Sequence, residues 1–434
     1  MLDTAPELQL LQWRKPFAEV AMVRLAAAVQ LESLDDSHAV LFHGLTGARI
    51  QVARRVRDLL VKLRGPVAVE DLVALSPSLA SLLKALYEKA FLVDAEDPEP
   101  FQPRRLLAPS AHTAFHCPPL AAFDSAKASS DVVFLGVPFD LGSTVISGQR
   151  RGPSELRIAS NEFVYETAFD NGRPLGWYDI GLDTRILEGV RLLDAGDFCF
   201  EYGESVDTVY ERLGTVWQTL RSGGTLAVAL GGDHSITYSF VERLQREQEI
   251  ALIWFDAHSD ESFYRRDQSH HYGNVLTRIR ELSRVRHILR VGTRGAVSTR
   301  RAADPEHCRT ISARDLRRFG SSILDAAIPA GMPCYLSIDL DVLDPSVAPA
   351  VGTPVPGGLM LHELEDAIAA IAQSTRIEAL DLVELNPDRA PGNVTACTAS
   401  RLLLIALHYA MQSRRAEVAA NRLMAQEENN ACSV

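Results

Sequence analysis

Beyond residue 130 the chain is punctuated by short, uninterrupted apolar runs: VVFLGVPF (132–139), TLAVAL (225–230), ALIWFDA (251–257), HILRVGT (287–293), CYLSIDL (334–340) and IEALDLVEL (377–385). Runs of this length without polar alternation suit strands covered on both faces, as in a parallel sheet. Amphipathic helical stretches lie between them, for example VDTVYERLGTVWQTLRS and HELEDAIAAIAQS. This alternation predicts an α/β fold of three αβα layers around a central parallel sheet, with right-handed crossovers. In such sheets function collects beyond the carboxyl ends of the strands.

The polar residues fall where that rule puts them. TLAVAL runs into Gly231-Gly232-Asp233-His234-Ser235, and ALIWF into Asp256-Ala257-His258-Ser259-Asp260. CYLSI runs into Asp339-Leu340-Asp341 and then Val342-Leu343-Asp344-Pro345, while IEALDLV ends in Glu384-Leu385-Asn386-Pro387. One D-x-D alone is commonly a cap or a solvated turn. Three such motifs at three strand ends would gather more buried acid than a protein tolerates without compensating charge. Two divalent cations are the natural compensation. The candidate ligands are His234, Asp256, His258, Asp260, Asp339 and Asp341. Alternate residues of an extended strand end point the same way, so D-x-H-x-D and D-x-D can each deliver several ligands to one place. An oxygen-rich set with two imidazoles suits Mn²⁺ better than a cysteine-rich structural zinc site, with Ni²⁺ and Fe²⁺ still open.

Composition narrows the rest. At 434 residues the chain exceeds the ~250–300 at which a single core stops growing, so two domains are expected. The formal net charge of -12 argues against a dedicated nucleic-acid partner. Six scattered cysteines without a C-x-x-C pattern read as reduced thiols. An acidic N-terminus unlike a signal peptide, and the lack of a long apolar run, predict a cytoplasmic protein without a membrane span. The expected divisions are a compact unit over 1–95, a Pro/Ser/Ala-rich linker over 96–130, a catalytic domain over 131–414 and a tail over 415–434.

The first unit reads as a small α+β module. AVLFHGLTGARIQV predicts a hairpin turning at Gly44-Leu45-Thr46-Gly47. A helix follows, with Val52, Val56, Leu59, Leu60 and Leu63 on one face. VEDLVAL and SLASLLKALYEKA continue as helices, the latter with Ser78 as N-cap, and Phe91-Leu92-Val93 closes as a strand.

GGDHS, DAHSD and SIDLDVLDP resemble the three metal motifs of the ureohydrolases, the arginase and agmatinase superfamily. The likeness extends over about 131–412 and includes LGVPFDLGSTVISGQRRGPSELR, LLDAGD and VELNP. It implies an arginase-like fold and a binuclear Mn²⁺ centre with a hydroxide between the ions as nucleophile. His234 and Asp260 would serve one ion, His258 and Asp341 the other, and Asp256 and Asp339 would bridge them. Asp260 would pass a proton to the departing amine, and Glu384 would hold the substrate guanidinium. The products would be urea and an amine. The family also implies a proton-shuttling His on the loop ESFYRRDQSHHYGNVLTRIREL, where His271 is preferred and His270 competes. Tyr272 and Asn274 stand beside them as pocket-lining candidates, and a homo-oligomer, trimer or hexamer, is implied.

Two departures bear on substrate. Glu261, Ser262 and Phe263 after Asp260 do not match the loop with which arginases bind the α-groups of free arginine, and the pair Arg265 and Arg266 could meet an acidic substrate. The 1–95 unit is additional to an ordinary ureohydrolase. It is similar to a small winged-helix domain, in particular to the precursor-recognition elements of ribosomal peptide-modifying enzymes, which bind a leader peptide by strand addition. Its 11 Lys+Arg against 11 Asp+Glu lack the basic stripe of a DNA-binding winged helix. Together these resemblances imply a peptide arginase converting arginine to ornithine in a precursor peptide. The alternative is a small-molecule ureohydrolase acting on agmatine, a guanidino acid or guanidine, with the first unit an oligomerisation or lid domain.

Overall fold

A computed structural model describes residues 16–26, 29–33, 38–43, 49–63, 65–76, 78–89, 91–96, 107–120, 130–143, 146–200, 204–221, 224–261, 271–296, 304–325 and 327–431. The chain divides into two compact units, Met1–Leu106 and Leu107–Val434.

In the second unit nine strands form one sheet among the described residues. They are β1 (Leu107–Ala108), β2 (Val132–Gly136), β3 (Leu192–Phe198), β4 (Leu226–Leu230), β5 (Ile250–Phe255), β6 (Val285–Val291), β7 (Cys308–Ile311), β8 (Pro333–Asp339) and β9 (Arg376–Val383). Their order across the sheet is β7-β6-β5-β8-β9-β4-β2-β3-β1. Every pairing is parallel except the short edge strand β1 against β3. The six apolar runs are strands β2, β4, β5, β6, β8 and β9. All residues of β2, β4 and β5 are buried, as expected for strands covered on both faces.

The four strands that end in acids, β5, β8, β9 and β4, are consecutive in the sheet. Register pairs Phe255 with Ile338, Asp339 with Val383 and Leu230 with Leu382, so the four strands end side by side. Adjacent strands lie ~4.8 Å apart, so their end residues fall within reach of a common pair of ions.

Helices Gly152–Phe163, Leu361–Ser374 and Val394–Ala431 pack together, the last also against β9. Leu364, Ile368, Leu402 and Ile405 share one core with Phe134, Val228, Ile253 and Leu336. Helices Val206–Arg221 and Thr237–Glu247 form a second pair, with Trp217 and Phe240 4.4 Å apart. The segment Val394–Arg415 is long and apolar enough to cross a membrane by length and composition, yet 72% of its most apolar 18-residue stretch is buried inside the protein. Its apolar character is that of a core helix.

Three strands of the sheet escaped the reading of apolar runs. Strand β3 carries Asp194 and Asp197, which pair with the buried Arg157, and β7 is a short edge strand. Strand β1 and the turn Ala114–His116 fall within the stretch read as a linker. The Ala114 N–H donates to Asp194 Oδ2 at 2.9 Å and the Leu120 N–H to the Asp194 carbonyl at 2.7 Å, which ties residues 107–120 to the second unit.

In the first unit, Met22–Leu25 pairs antiparallel with both Val67–Ala68 and Leu92–Asp94. A second antiparallel sheet joins Val29–Ser33, His38–His43 and Arg49–Ala53. The turn expected at 44–47 lies outside the described residues. Helices Arg54–Lys62, Val69–Leu75 and Leu79–Glu88 complete the unit around Val23, Leu60, Leu63, Leu83 and Phe91. Ser78 does not act as an N-cap. Its backbone is already helical and its side chain makes no capping bond, lying instead 2.8 Å from the Ser76 hydroxyl.

Candidate metal centre

Strand β4 ends against a close crossing. A Cβ on Gly232 would fall 1.7 Å from the Phe139 carbonyl oxygen, so only glycine lets the two backbones approach here. Asp233 then turns the chain by accepting the Ser235 N–H at 3.0 Å, and His234 is left wholly buried. Its ring stacks on Trp254 of β5, with centroids 3.9 Å apart and planes at 8°. His234 Nε2 lies 2.9 Å from the Ser337 hydroxyl, which donates to Asp381 Oδ1 at 2.7 Å. Thr237 and Tyr335 hydroxyls donate to the other oxygen of Asp381 at 2.7 and 2.8 Å. This network orients the imidazole and leaves Nδ1 facing the strand ends.

Nδ1 of His234 is buried and makes no hydrogen bond. It faces Asp339 Oδ2 at 3.1 Å and Asp256 Oδ2 and Asp260 Oδ2 at 3.4 Å each. On the other side of Asp256, His258 Nδ1 lies 2.8 Å from Asp341 Oδ2 and 3.5 Å from Asp256 Oδ1. Two groups could therefore each hold an ion: His234, Asp256 and Asp260, and Asp256, His258 and Asp341. Asp256 belongs to both, and the Asp339 carboxylate stands on the His234 side.

Further bonds fix these ligands. Trp254 Nε1 donates to Asp256 Oδ2 at 2.9 Å, the Ala257 N–H to Asp341 Oδ1 at 3.0 Å, and the Asp341 N–H to Asp339 Oδ1 at 2.8 Å. Arg294 donates to the carbonyls of Asp341, Val342, Leu343 and Val355, clamping the loop after β8. Asp260 and Glu384 adopt left-handed backbone conformations, with φ of 47° and 68°. Such geometry costs on the order of 1–3 kcal/mol for a residue with a side chain, and it clusters at functional sites.

The electrostatics describe a site short of positive charge. Burial, then the neighbouring Asp256 charge, raises Asp260 to about 7. Burial and the adjacent carboxylates raise Asp339 and Asp341. Burial opposes ionisation of Asp256 too, but the adjacent His234 and His258 imidazoles outweigh it and hold it low. His258 is pushed up to about 12 against its burial by bonds to Asp256 and Asp341. An orphaned imidazole nitrogen among crowded carboxylates fits divalent cations, which would supply the missing charge.

Glu384 stands at the end of β9, beside this cluster. Its Oε1 accepts the His234 backbone N–H at 2.9 Å, and its Oε2 accepts from Gln149 Nε2 at 2.8 Å. Burial, then the Asp233 charge, raises its carboxyl to about 8. A buried carboxylate with lone pairs to spare suits a planar cation.

The loop after Asp260 is described only at its ends. Glu261 binds Arg280 and Arg290 at 2.8 and 2.5 Å. His270, with Ser262, Phe263, Arg265 and Arg266, lies outside the described residues. His271 is half-buried; burial lowers its pKa, and its Nδ1 is buried without a hydrogen bond. The Tyr272 N–H donates to the Gly142 carbonyl at 3.1 Å, and its side chain is half-buried. Asn274 is wholly buried, and its Oδ1 accepts the His271 N–H at 3.3 Å. This bond holds the loop's own backbone.

Sequence reasoning did not single out Gln149, Trp254, Ser337 or Asp381. Each sits in an apolar run or an ordinary-looking loop. The usable signal was the lone Asp inside IEALDLV, since a buried acid mid-strand needs partners.

The profile of the arginase family matches residues 130–408. The chain is 27% identical to an agmatinase of Proteus mirabilis over 66% of its own length and 89% of that protein. It is 31% identical to the N(1)-aminopropylagmatine ureohydrolase of Thermus thermophilus over 61% and 86%. In fold it is similar to the proclavaminate amidino hydrolase of Streptomyces clavuligerus, with a TM-score of 0.59 at 22% identity, covering 70% of this chain and 98% of that one.

Proposed function

The chain belongs to the arginase family, whose members hydrolyse guanidino C–N bonds, and we propose that it releases urea from a small linear guanidino compound of the agmatine type. Glu384 carries this reading: a buried carboxylate, pinned by the backbone of a candidate metal ligand, beside two ligand triads. The matched relatives named for agmatine and aminopropylagmatine support the substrate class.

His234, Asp256 and Asp260 would hold one ion, His258, Asp341 and Asp256 the other, with Asp339 adding its charge beside His234. We take the ions to be Mn²⁺, for the oxygen-rich donor set. Such ions acidify water and offset the charge that builds at an attacked carbon. Glu384 binds the guanidinium through paired hydrogen bonds and turns its carbon toward the triads. Water adds to that carbon, the bond to the alkyl nitrogen breaks, and the amine leaves with a proton. Asp260 is placed to move that proton, and half-buried His271 to exchange it with solvent. A homo-oligomer, trimer or hexamer, in the cytoplasm belongs to the same reading.

A second reading is hydrolysis of arginine side chains within a precursor peptide. It is favoured by the separate first unit, which lies outside the family match. There, Val29–Ser33 pairs on one side only among the described residues, an edge suited to strand addition.

Urea release by the Mn²⁺-loaded protein tests both. Agmatine, 4-guanidinobutyrate, free arginine and arginine-containing precursor peptides would be run in parallel. Urea from agmatine or a close analogue is expected. Urea from peptides alone would replace the first reading with the second, and urea from none would overturn both.

A further inference from the structure

The geometry points to Gln149 as a second anchor for the substrate guanidinium, set against Glu384; this rests on the guanidino-hydrolase reading of the site. Gln149 stands in the turn that opens helix Gly152–Phe163, and it is 1% exposed. The turn is held on both sides of it. Asp140 Oδ2 accepts the Gly148 N–H at 2.8 Å and Arg150 Nε at 2.9 Å.

The two ends of the Gln149 amide have unequal fates. Nε2 donates to Glu384 Oε2 at 2.8 Å and lies 3.5 Å from the Ser143 hydroxyl. Oε1 is buried and accepts no hydrogen bond. A buried amide carbonyl without a donor is costly. Rotating the amide would not relieve it, because that would set Oε1 against the Glu384 carboxylate. The orientation is therefore imposed by Glu384, and the open acceptor is its consequence.

The Gln149 amide lies directly against Glu384 and Gly352. A Cβ on Gly352 would fall 2.7 Å from Gln149 Nε2 and 2.9 Å from Glu384 Oε2, so only glycine lets this backbone pack so closely against the pair. The next residue, Thr353, reaches Asp341 Oδ2 at 3.4 Å, so one short segment joins the pair to a candidate metal ligand. An alkylguanidinium carries five N–H donors in one plane. Glu384 already receives one donor on each oxygen and can accept two more from the substrate. The guanidinium then still has donors to satisfy, and Gln149 Oε1 meets one of them. Being neutral, Gln149 adds an acceptor without placing a second negative charge against the single cation.

The test compares the full-length, Mn²⁺-loaded wild type with Gln149→Ala and Gln149→Leu, the latter keeping bulk while removing the carbonyl. Steady-state kinetics on the best guanidino substrate are read with bound-metal content and melting temperature. KM is expected to rise about tenfold to a hundredfold in both variants, the range for a bond to a charged group, with a smaller change in kcat and unchanged metal content. A KM within twofold of wild type in the folded variants would overturn the assignment while leaving the guanidino-hydrolase reading intact. Absence of urea from every guanidino substrate with the wild type would overturn both. If the variants fail to fold, the wild type decides. An alkylamidine, which lacks one nitrogen of the matching alkylguanidine, should inhibit at least tenfold more weakly, and equal inhibition would overturn the inference.

Discussion

The backbone N–H of His234 donates to Glu384 Oε1 at 2.9 Å, so the proposed guanidinium anchor is tied to a candidate metal ligand by one hydrogen bond. The ends of β4 and β9, neighbours in the sheet, thereby set the distance between bound cation and metal centre. Replacing Glu384 with Gln removes the charge and one acceptor oxygen. The expected fall in kcat/KM is ~10²–10³, from the loss of charge-assisted bonds. Metal content, read by elemental analysis, should stay at the wild-type level.

Asp256 is shared by both candidate ligand groups, whereas His258 belongs to one. Asp256→Asn should therefore lose both ions, and His258→Asn one. Metal-to-protein ratios after dialysis distinguish the two. Equal ratios in the two variants would contradict the sharing.

Ions that relieve the crowding of carboxylates should also stabilise the fold. Mn²⁺ added at 100 times its dissociation constant is worth about 2.7 kcal/mol if one site binds and the unfolded chain does not. A chelator should lower the melting temperature of the wild type, and lower that of Asp256→Asn much less.

Asp381 acts on His234 through Ser337, at 2.7 and 2.9 Å. Its replacement by Asn weakens the acceptor that orients the imidazole. Metal affinity should fall ~10–100-fold, as is typical when a ligand's outer partner is lost. Titration with Mn²⁺ measures this directly, without reference to turnover.

Far from these motifs, Glu378 lies among Arg221, Arg376 and Arg414, with Arg414 Nη1 at 2.8 Å. Burial opposes its ionisation, but the Arg414 and Arg376 charges prevail and hold its carboxyl below the ordinary 4.5. A lowered folded-state pKa contributes stability above the unfolded value, lost as pH falls through the folded one. Glu378→Gln should cost about 3 kcal/mol at neutral pH, since it removes the carboxylate that the partly buried Arg376 and Arg414 share. Denaturant melts should show that gap closing below about pH 4.5.

The candidate ligands stand out in the sequence because they are local features of strand ends. Gly231 to Ser235, Asp256 to Asp260 and Asp339 to Asp341 each follow an apolar run directly, and extended backbone puts alternate residues on one side. The runs themselves announce a buried parallel sheet. The first unit was legible as hairpin and helices, but not as two separate sheets, since Met22–Leu25 finds partners at Val67–Ala68 and Leu92–Asp94, far along the chain. Ser78 was misread because a serine before a helix caps it only when its backbone is extended.

The sequence alone determined the kind of sheet and the family. These depend on residue type and on spacing over a few positions, where local geometry has little freedom. Tertiary structure alone decided that β5, β8, β9 and β4 are adjacent, and that the Asp339 carboxylate stands on the His234 side. It also decided that Asn274 holds a loop and that Gln149 leans on Glu384. Those facts come from pairing and packing between segments up to 235 residues apart, where burial and hydrogen-bond satisfaction select among arrangements that the local sequence permits equally.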